Sequence, residues 1–262
     1  MIKPKKSLGQ NFLIDKNIIK KISKIISIKD KIILEIGPGT GNLTSEILIN
    51  KPKKVYVIEK DQNLVSHLKR KFGTDLDIIN KDVLKFNEKL LSSSKLNVFG
   101  NLPYNISTEI LCKWILNLNS DDYWFENLIL MFQKEVADRI ISKFNSKSYG
   151  RLSILSNWKL NIKKAYDVKS SCFFPKPKVQ SSVLIFSPKS NHFKIKDPKN
   201  LEMLTRIFFN HRRKMIKKPF NQIFNGNLEI ARKYNLDLNL RPQNLNFETY
   251  YKLAQEFENL GS

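Results

Sequence analysis

Long apolar runs are missing from this sequence. No stretch of its 262 residues approaches the roughly 18 apolar residues that span a bilayer, which argues against membrane attachment. Cysteine is nearly absent. Cys112 and Cys172 lie in apolar surroundings and have no metal-ligand spacing with His67, His192 or His211, so no metal site is expected. Both thiols read as buried in a reducing compartment. The basic amino-terminal segment has no apolar core before Gln10 and gives no secretory signal, so a cytoplasmic protein is expected. Acidic residues are also few: 24 Asp and Glu stand against 46 Lys and Arg, for a net charge of +22. That excess is larger than solubility requires and points to a polyanionic partner. The lysines and arginines are spread through Lys3–Lys6, Lys16–Lys31, Lys51–Lys54, Lys69–Lys71, Lys159–Lys169 and Arg206–Lys218, which suits a folded basic surface better than a disordered arm.

Glycine is scarce too, nine in all, yet three of the nine fall at 37, 39 and 41. They follow the apolar run Ile32–Leu34 and Glu35, which reads as a buried strand of a parallel sheet. Glycines at that spacing permit positive φ and leave no Cβ between the backbone and a ligand. From Asn42 to Lys51 the spacing turns helical, so the turn delivers its ligand to a helix N-terminus. A dinucleotide fingerprint has a different glycine spacing. Pro38 also removes a backbone donor, which a pyrophosphate cradle would miss more than an amino-acid carboxylate would.

Two acids follow at successive strand ends. Lys54–Ile58 reads as a strand stopping at Glu59, suited to accept from ribose hydroxyls, and Leu76–Ile79 as one leading to Asp82-Val83, suited to an adenine. Either acid alone also fits a helix cap or an exposed surface; the pair fits a nucleoside site outside the carboxyl ends of an open α/β sheet. A fourth strand, Leu96–Gly100, delivers Asn101-Leu102-Pro103-Tyr104. The amine of adenine is a poor nucleophile because its lone pair is delocalised into the ring. The Asn101 side-chain oxygen and the Leu102 carbonyl, kept rigid by Pro103, are candidate acceptors that would hold that nitrogen for attack. Tyr104 offers a face to a flipped-out base, and Phe173 is a candidate for the other face or a structural aromatic.

The remaining chain organises around these motifs. Asp15 reads as the cap of a helix Lys16–Ile26, Gln62–Phe72 and Ile106–Leu116 as helices, Leu128–Phe132 as the fifth strand, and Val136–Phe144 as a helix. Leu152–Leu160 reads as helical at first and extended from Trp158. The prolines of Cys172–Ile185 suggest an extended loop running into a strand Ser182–Phe186. Beyond a polar linker, helices are expected at Asn200–Phe209, Asn210–Lys218, Leu228–Tyr234 and Phe247–Leu260, with Pro219 interrupting or restarting the second. The expected division is 1–188 for a catalytic domain with its basic arm and 189–262 for a small, RNA-contacting helical domain.

Together SLGQNFL (7–13), EIGPGTGNLT (35–44), Glu59, Asp82, NLPY (101–104), MFQKEVADRI with YGRLS, FFPKPKVQSS (173–182) and FNHRRK (209–214) resemble the RsmA/KsgA family of small-subunit ribosomal RNA adenine dimethyltransferases. The likeness runs from Lys6 to about Leu253. It implies an α/β fold, a Rossmann-like S-adenosylmethionine-dependent methyltransferase sheet with a small all-helical C-terminal domain. It also implies dimethylation of two adjacent adenosines in the hairpin near the 3′ end of 16S rRNA in the immature 30S subunit. Carried over by position, the family's S-adenosyl-L-methionine residues fall on Asn11, Leu13, Gly37, Glu59, Asp82 and Asn101, and its target-adenine residues on Asn101, Leu102, Tyr104 and Phe173. Ser7 stands where family members often have Arg or another residue, and Gln180 where they often have an acid; these departures bear on local RNA contacts and leave the chemistry intact. A monomer without metal is expected. The erythromycin-resistance methyltransferases of 23S rRNA share similar motifs, but NLPY, the proline loop and the RRK stretch favour the small-subunit family. A non-catalytic assembly factor would not need Glu59, Asp82 and Asn101–Tyr104 intact.

Overall fold

The structure, a computed structural model, describes residues 3–118 and 122–260. The chain forms two compact units: residues 1–111, 121–137 and 162–188 make the first, and 112–120, 138–161 and 189–262 the second. This division differs from the expected single cut at 188/189. Segments 112–120 and 138–161, assigned from sequence to the catalytic domain, belong with the carboxyl-terminal helices.

The first unit begins with an arm whose two-residue strand β1 (Phe12–Leu13) leads to α1 (Lys16–Ser23), capped by Asp15. Then come β2 (Ile32–Ile36), α2 (Asn42–Ile49), β3 (Lys54–Ile58), α3 (Gln62–Phe72), β4 (Asp77–Ile79) and β5 (Leu96–Asn101). Central β2 and β5 are buried along nearly their whole length, the polar Glu35 and Asn97 included, as inner strands of a sheet covered on both faces are. After α4 (Ser107–Leu116) the chain forms β6 (Phe125–Gln133), α5 (Lys134–Ile141), α6 (Arg151–Lys159), β7 (Leu160–Val168), β8 (Phe173–Phe174) and β9 (Ser181–Pro188). The seven-stranded sheet has the order β4-β3-β2-β5-β6-β9-β7, and β1 pairs with β8 in a separate two-stranded ladder. β2 runs parallel to both β3 and β5, β5 is parallel to β6, and β9 is antiparallel to β6. The chain leaves β2 in one direction through β3 and β4 and returns to its other side as β5. That reversal makes a crevice outside the carboxyl ends of β2 and β5.

The second unit contains α7 (Pro198–Phe209), α8 (Lys217–Phe224), α9 (Leu228–Lys233) and α10 (Phe247–Leu260), with aromatic packing between α7 and α10. Tyr149 packs against Phe209 and Phe247, and the Tyr250 ring lies beside Phe208 and Phe209. The buried Tyr250 and Tyr251 hydroxyls donate to the carbonyls of Pro242 and Ile154. The helix expected at Asn210–Lys218 does not form. Pro219 would collide with the carbonyl of Met215 in any helix running through both, and the amides of Ile216 and Lys217 donate instead to Leu240 and Leu238. Pro219 therefore sits in the first turn of α8. β7 also exceeds the expectation, its alternating exposure hidden in sequence by the lysines of LNIKKAYDV.

Candidate active site

The crevice holds an open cleft of about 1230 Å³, mouth included. One of its walls is the amino-terminal arm, residues 7–13. Three polar ties pin this arm. The Asn101 side chain donates from Nδ2 to the Asn11 carbonyl at 2.8 Å, Asn42 donates likewise to the Leu13 carbonyl at 2.8 Å, and Gln10 donates to Asp61 Oδ2 at 3.1 Å. Lys5 Nζ reaches the other Asp61 oxygen at 2.8 Å. Burial works against the Asp61 charge, but Lys5, Gln10 and the Asn63 amide outweigh it and hold the carboxyl below the usual range.

The glycine turn is the floor. Gly37, Gly39 and Gly41 all have positive φ, at 64°, 59° and 74°. A Cβ on Gly39 would lie 2.8 Å from the Phe12 ring, and one on Gly41 2.5 Å from the Phe72 ring, so these two glycines admit close packing by the protein itself. Gly37 differs: a Cβ there would meet nothing within 4 Å and would project into open space. The space over this glycine is open to the cleft, which Gly37 also lines. α2 starts at Gly41 without a side-chain cap, leaving first-turn amides for a carboxylate.

Glu59 stands at the end of β3, mostly buried, with Oε1 accepting from the Asp61 amide at 2.9 Å. Burial raises its pKa against backbone donors at Asp61, Gly39 and Lys60. Asp82 accepts from Lys60 Nζ at 2.8 Å and, as a cap, from the Leu84 amide at 3.0 Å. Lys60 is the largest influence holding the Asp82 carboxyl below its ordinary pKa. Both acids line the cleft, as do Asn11, Leu13, Gly37, Asn101, Leu102 and Tyr104. The Tyr104 hydroxyl shares a 2.6 Å hydrogen bond with Ser181 at the start of β9, which fixes the ring; sequence reasoning did not single out this serine.

Phe173 is not brought to the cleft. It is 3% exposed, in the core with Leu13, Ile19, Ile22 and Cys172. The reason is pleat geometry: Phe173 stands opposite Leu13 in the β1–β8 ladder, and opposed side chains share a face, here the buried one. Its expected role as a second stacking face is not met in this arrangement.

A family model described as ribosomal RNA adenine dimethylase matches residues 1–259. The chain belongs to that family. It is 62% identical to the ribosomal RNA small subunit methyltransferase A of Pelagibacter ubique, over 99% of this chain and 98% of that protein. With the protein of the same name from Wolbachia sp. subsp. Drosophila simulans it shares 42% identity over 98% of this chain and 95% of the relative. A solved dimethyladenosine transferase from Plasmodium falciparum superposes with a TM-score of 0.80 at 28% identity, over 95% of this chain and 98% of that one. The 23S rRNA methyltransferase ErmE gives a TM-score of 0.67 at 20% identity over 96% of this chain and all of that one, a likeness of fold.

In this adenine dimethylase family member the cleft wall contains a further acid, Glu35. It is 2% exposed, and its Oε2 accepts from the Thr44 hydroxyl at 2.6 Å. Burial pushes its pKa up to about 7, with Glu59 adding to the rise and Thr44 and Lys71 opposing it. The folded chain thus holds a proton that the unfolded chain releases near 4.5. Glu35's contribution to stability is fully present below that value and is lost as pH rises through about 7. At about 1.4 kcal/mol per pH unit, the Glu35→Gln protein, which keeps an acceptor for Thr44, is expected to match the native protein at low pH and exceed it by up to ~3 kcal/mol above pH 8. Denaturant titrations of both proteins at several pH values check this, and a difference independent of pH would contradict it. Ionised Glu35 favours a cationic ligand beside it.

Proposed function

We propose that the protein dimethylates the 6-amino groups of two adjacent adenosines in the hairpin near the 3′ end of 16S rRNA, on an immature small subunit, using S-adenosyl-L-methionine. Membership of the ribosomal RNA adenine dimethylase family and high identity to proteins named small subunit methyltransferase A support the reaction and the substrate. The observation that carries the reading is the orientation of Asn101. Its Nδ2 is committed to the Asn11 carbonyl, so its Oδ1 is left as an acceptor in the cleft.

The residues divide the work accordingly. The open space over Gly37, the uncapped start of α2, Glu59 and Asp82 suit the amino-acid and adenosine ends of the methyl donor. When bound, that donor supplies an electrophilic methyl group. Asn101 Oδ1 and the Leu102 carbonyl accept the hydrogens of the target amine and aim its lone pair, while Tyr104 stacks on the base. Once methylated, the nitrogen is cationic and sheds its proton readily, so no general base is needed. Positioning and exclusion of water supply the acceleration.

In this reading the protein works as a cytoplasmic monomer, and residues 189–262 contact RNA. Among the described residues no helix is long and apolar enough to cross a membrane. Arg213 and Lys214 are exposed, whereas Arg212 donates to the Ser146 carbonyl at 3.2 Å. Changing Arg213 and Lys214 to Ala is therefore expected to weaken RNA binding and to lower the slope of log affinity against log salt by about one for each phosphate left without its cation. An unchanged slope in filter-binding titrations would remove these side chains from the RNA surface.

The reading itself is tested by supplying labelled S-adenosylmethionine with small subunits lacking the modification, with large subunits and with naked RNA, followed by nucleoside analysis. Dimethyladenosine confined to the small-subunit sample is expected. Label in 23S rRNA would move the assignment to the large subunit, and binding without label would make the protein an assembly factor.

A further inference from the structure

We propose that Phe174, flanked by Lys176 and Lys178, is a stacking platform for the RNA nucleotide next to the base in the cleft. The inference rests on the rRNA reading above and adds a contact outside the residues assigned there.

The β1–β8 register places Phe12 opposite Phe174 and Leu13 opposite Phe173. Opposed residues share a face and neighbours alternate. Leu13 and Phe173 are both buried in the core, so Phe12 and Phe174 face the other way. Phe12 lines the cleft and lies against Gly39. Phe174 is thus paired with a residue of the cleft lining, and it is 56% exposed. Ile14 and Val179 are also exposed, at 49% and 45%, so apolar surface is concentrated along this strand pair and the loop that follows it.

Charge selects the occupant. Between Val168 and Ser182 there are three lysines, Lys169, Lys176 and Lys178, and no carboxylate. Lys176 and Lys178 are exposed and alternate with Pro175 and Pro177, in a loop that bends at Pro175 and again at Lys178 and Val179. An accessible ring beside fixed cations is how proteins hold single-stranded nucleic acid: the ring takes a base and the cations take the phosphates. An adenine turned into the cleft leaves its neighbour unstacked on that side, and Phe174 offers a replacement face.

The test uses the full-length protein and an RNA hairpin carrying 2-aminopurine next to the target adenines, together with small subunits lacking the modification. Phe174→Ala is expected to raise the RNA dissociation constant and the KM for subunits about ten- to a hundredfold, with cofactor affinity and thermal midpoint unchanged. It should also abolish the 2-aminopurine quenching seen with the native protein. Phe174→Tyr should restore binding and quenching, and Phe174→Leu should not. Changing Lys176 and Lys178 to Ala should lower the salt slope by about two. Native values for Phe174→Ala would overturn the inference, and rescue by leucine would replace stacking with simple apolar packing, as a protein partner would use. Failure of the native protein to form dimethyladenosine in rRNA would instead overturn the underlying reading, and is separable because it needs no variant.

Discussion

Replacing Asn101 by Ala is expected to lower the rate of methyl transfer at least a thousandfold while RNA affinity stays within tenfold. Two effects combine. In the proposed reaction the substitution removes an acceptor aimed at the reacting amine, and loss of one such preorganised polar group costs about 10²–10³ in rate. It also deletes the donor that holds the Asn11 carbonyl, so the arm forming one wall of the cleft is released at that point. Misplacement of a reacting group by about 1 Å costs roughly another hundredfold. Asn101→Asp separates the two: its carboxylate could still accept from the amine but would face the Asn11 carbonyl with no hydrogen to share. Single-turnover transfer measured alongside equilibrium RNA binding checks the prediction. Retained turnover in the alanine variant would remove Asn101 from the chemistry.

Gly37→Ala is expected to leave the protein folded while weakening S-adenosylmethionine binding ten- to a hundredfold. At φ 64° an alanine is strained, by about 1–2 kcal/mol, but its methyl meets nothing within 4 Å. The loss of affinity arises only when a ligand fills that space, since overpacking a close contact costs about 1–3 kcal/mol. Gly41→Ala makes the contrast, because its methyl would strike the Phe72 ring whether or not ligand is present. Calorimetric titration and thermal melts of both variants distinguish the cases. Unaltered affinity in Gly37→Ala would mean that the donor binds elsewhere.

Legibility in the sequence depends on whether a residue's role is local. β3 and α3 fall at the expected residues, because Lys54–Ile58 is an apolar run after lysines and Asp61 caps the next turn by its own side chain. Glycine spacing announces the turn, and the acids stand just beyond strand ends, as read; all of these border one cleft. Long-range facts are not legible. The face that Phe173 presents is set by a two-residue ladder with Leu13, far earlier in the chain, which no local pattern encodes. The value of Ser181 lies in reaching Tyr104, and the burial that raises the pKa of Glu35 comes from the surrounding sheet, so neither residue stands out along the chain. Segments 112–120 and 138–161 carry no composition change to mark their membership of the second unit.

The Asn101 amide has a hydrogen-bearing end and a lone-pair end, and the seated arm takes the hydrogen-bearing one. With the arm away, rotation by half a turn would offer hydrogens where the substrate amine needs an acceptor, and the same side chain would repel what it is meant to hold. In the proposed reaction, chemistry at the end of β5 would thus be conditional on the arm being docked at Asn11.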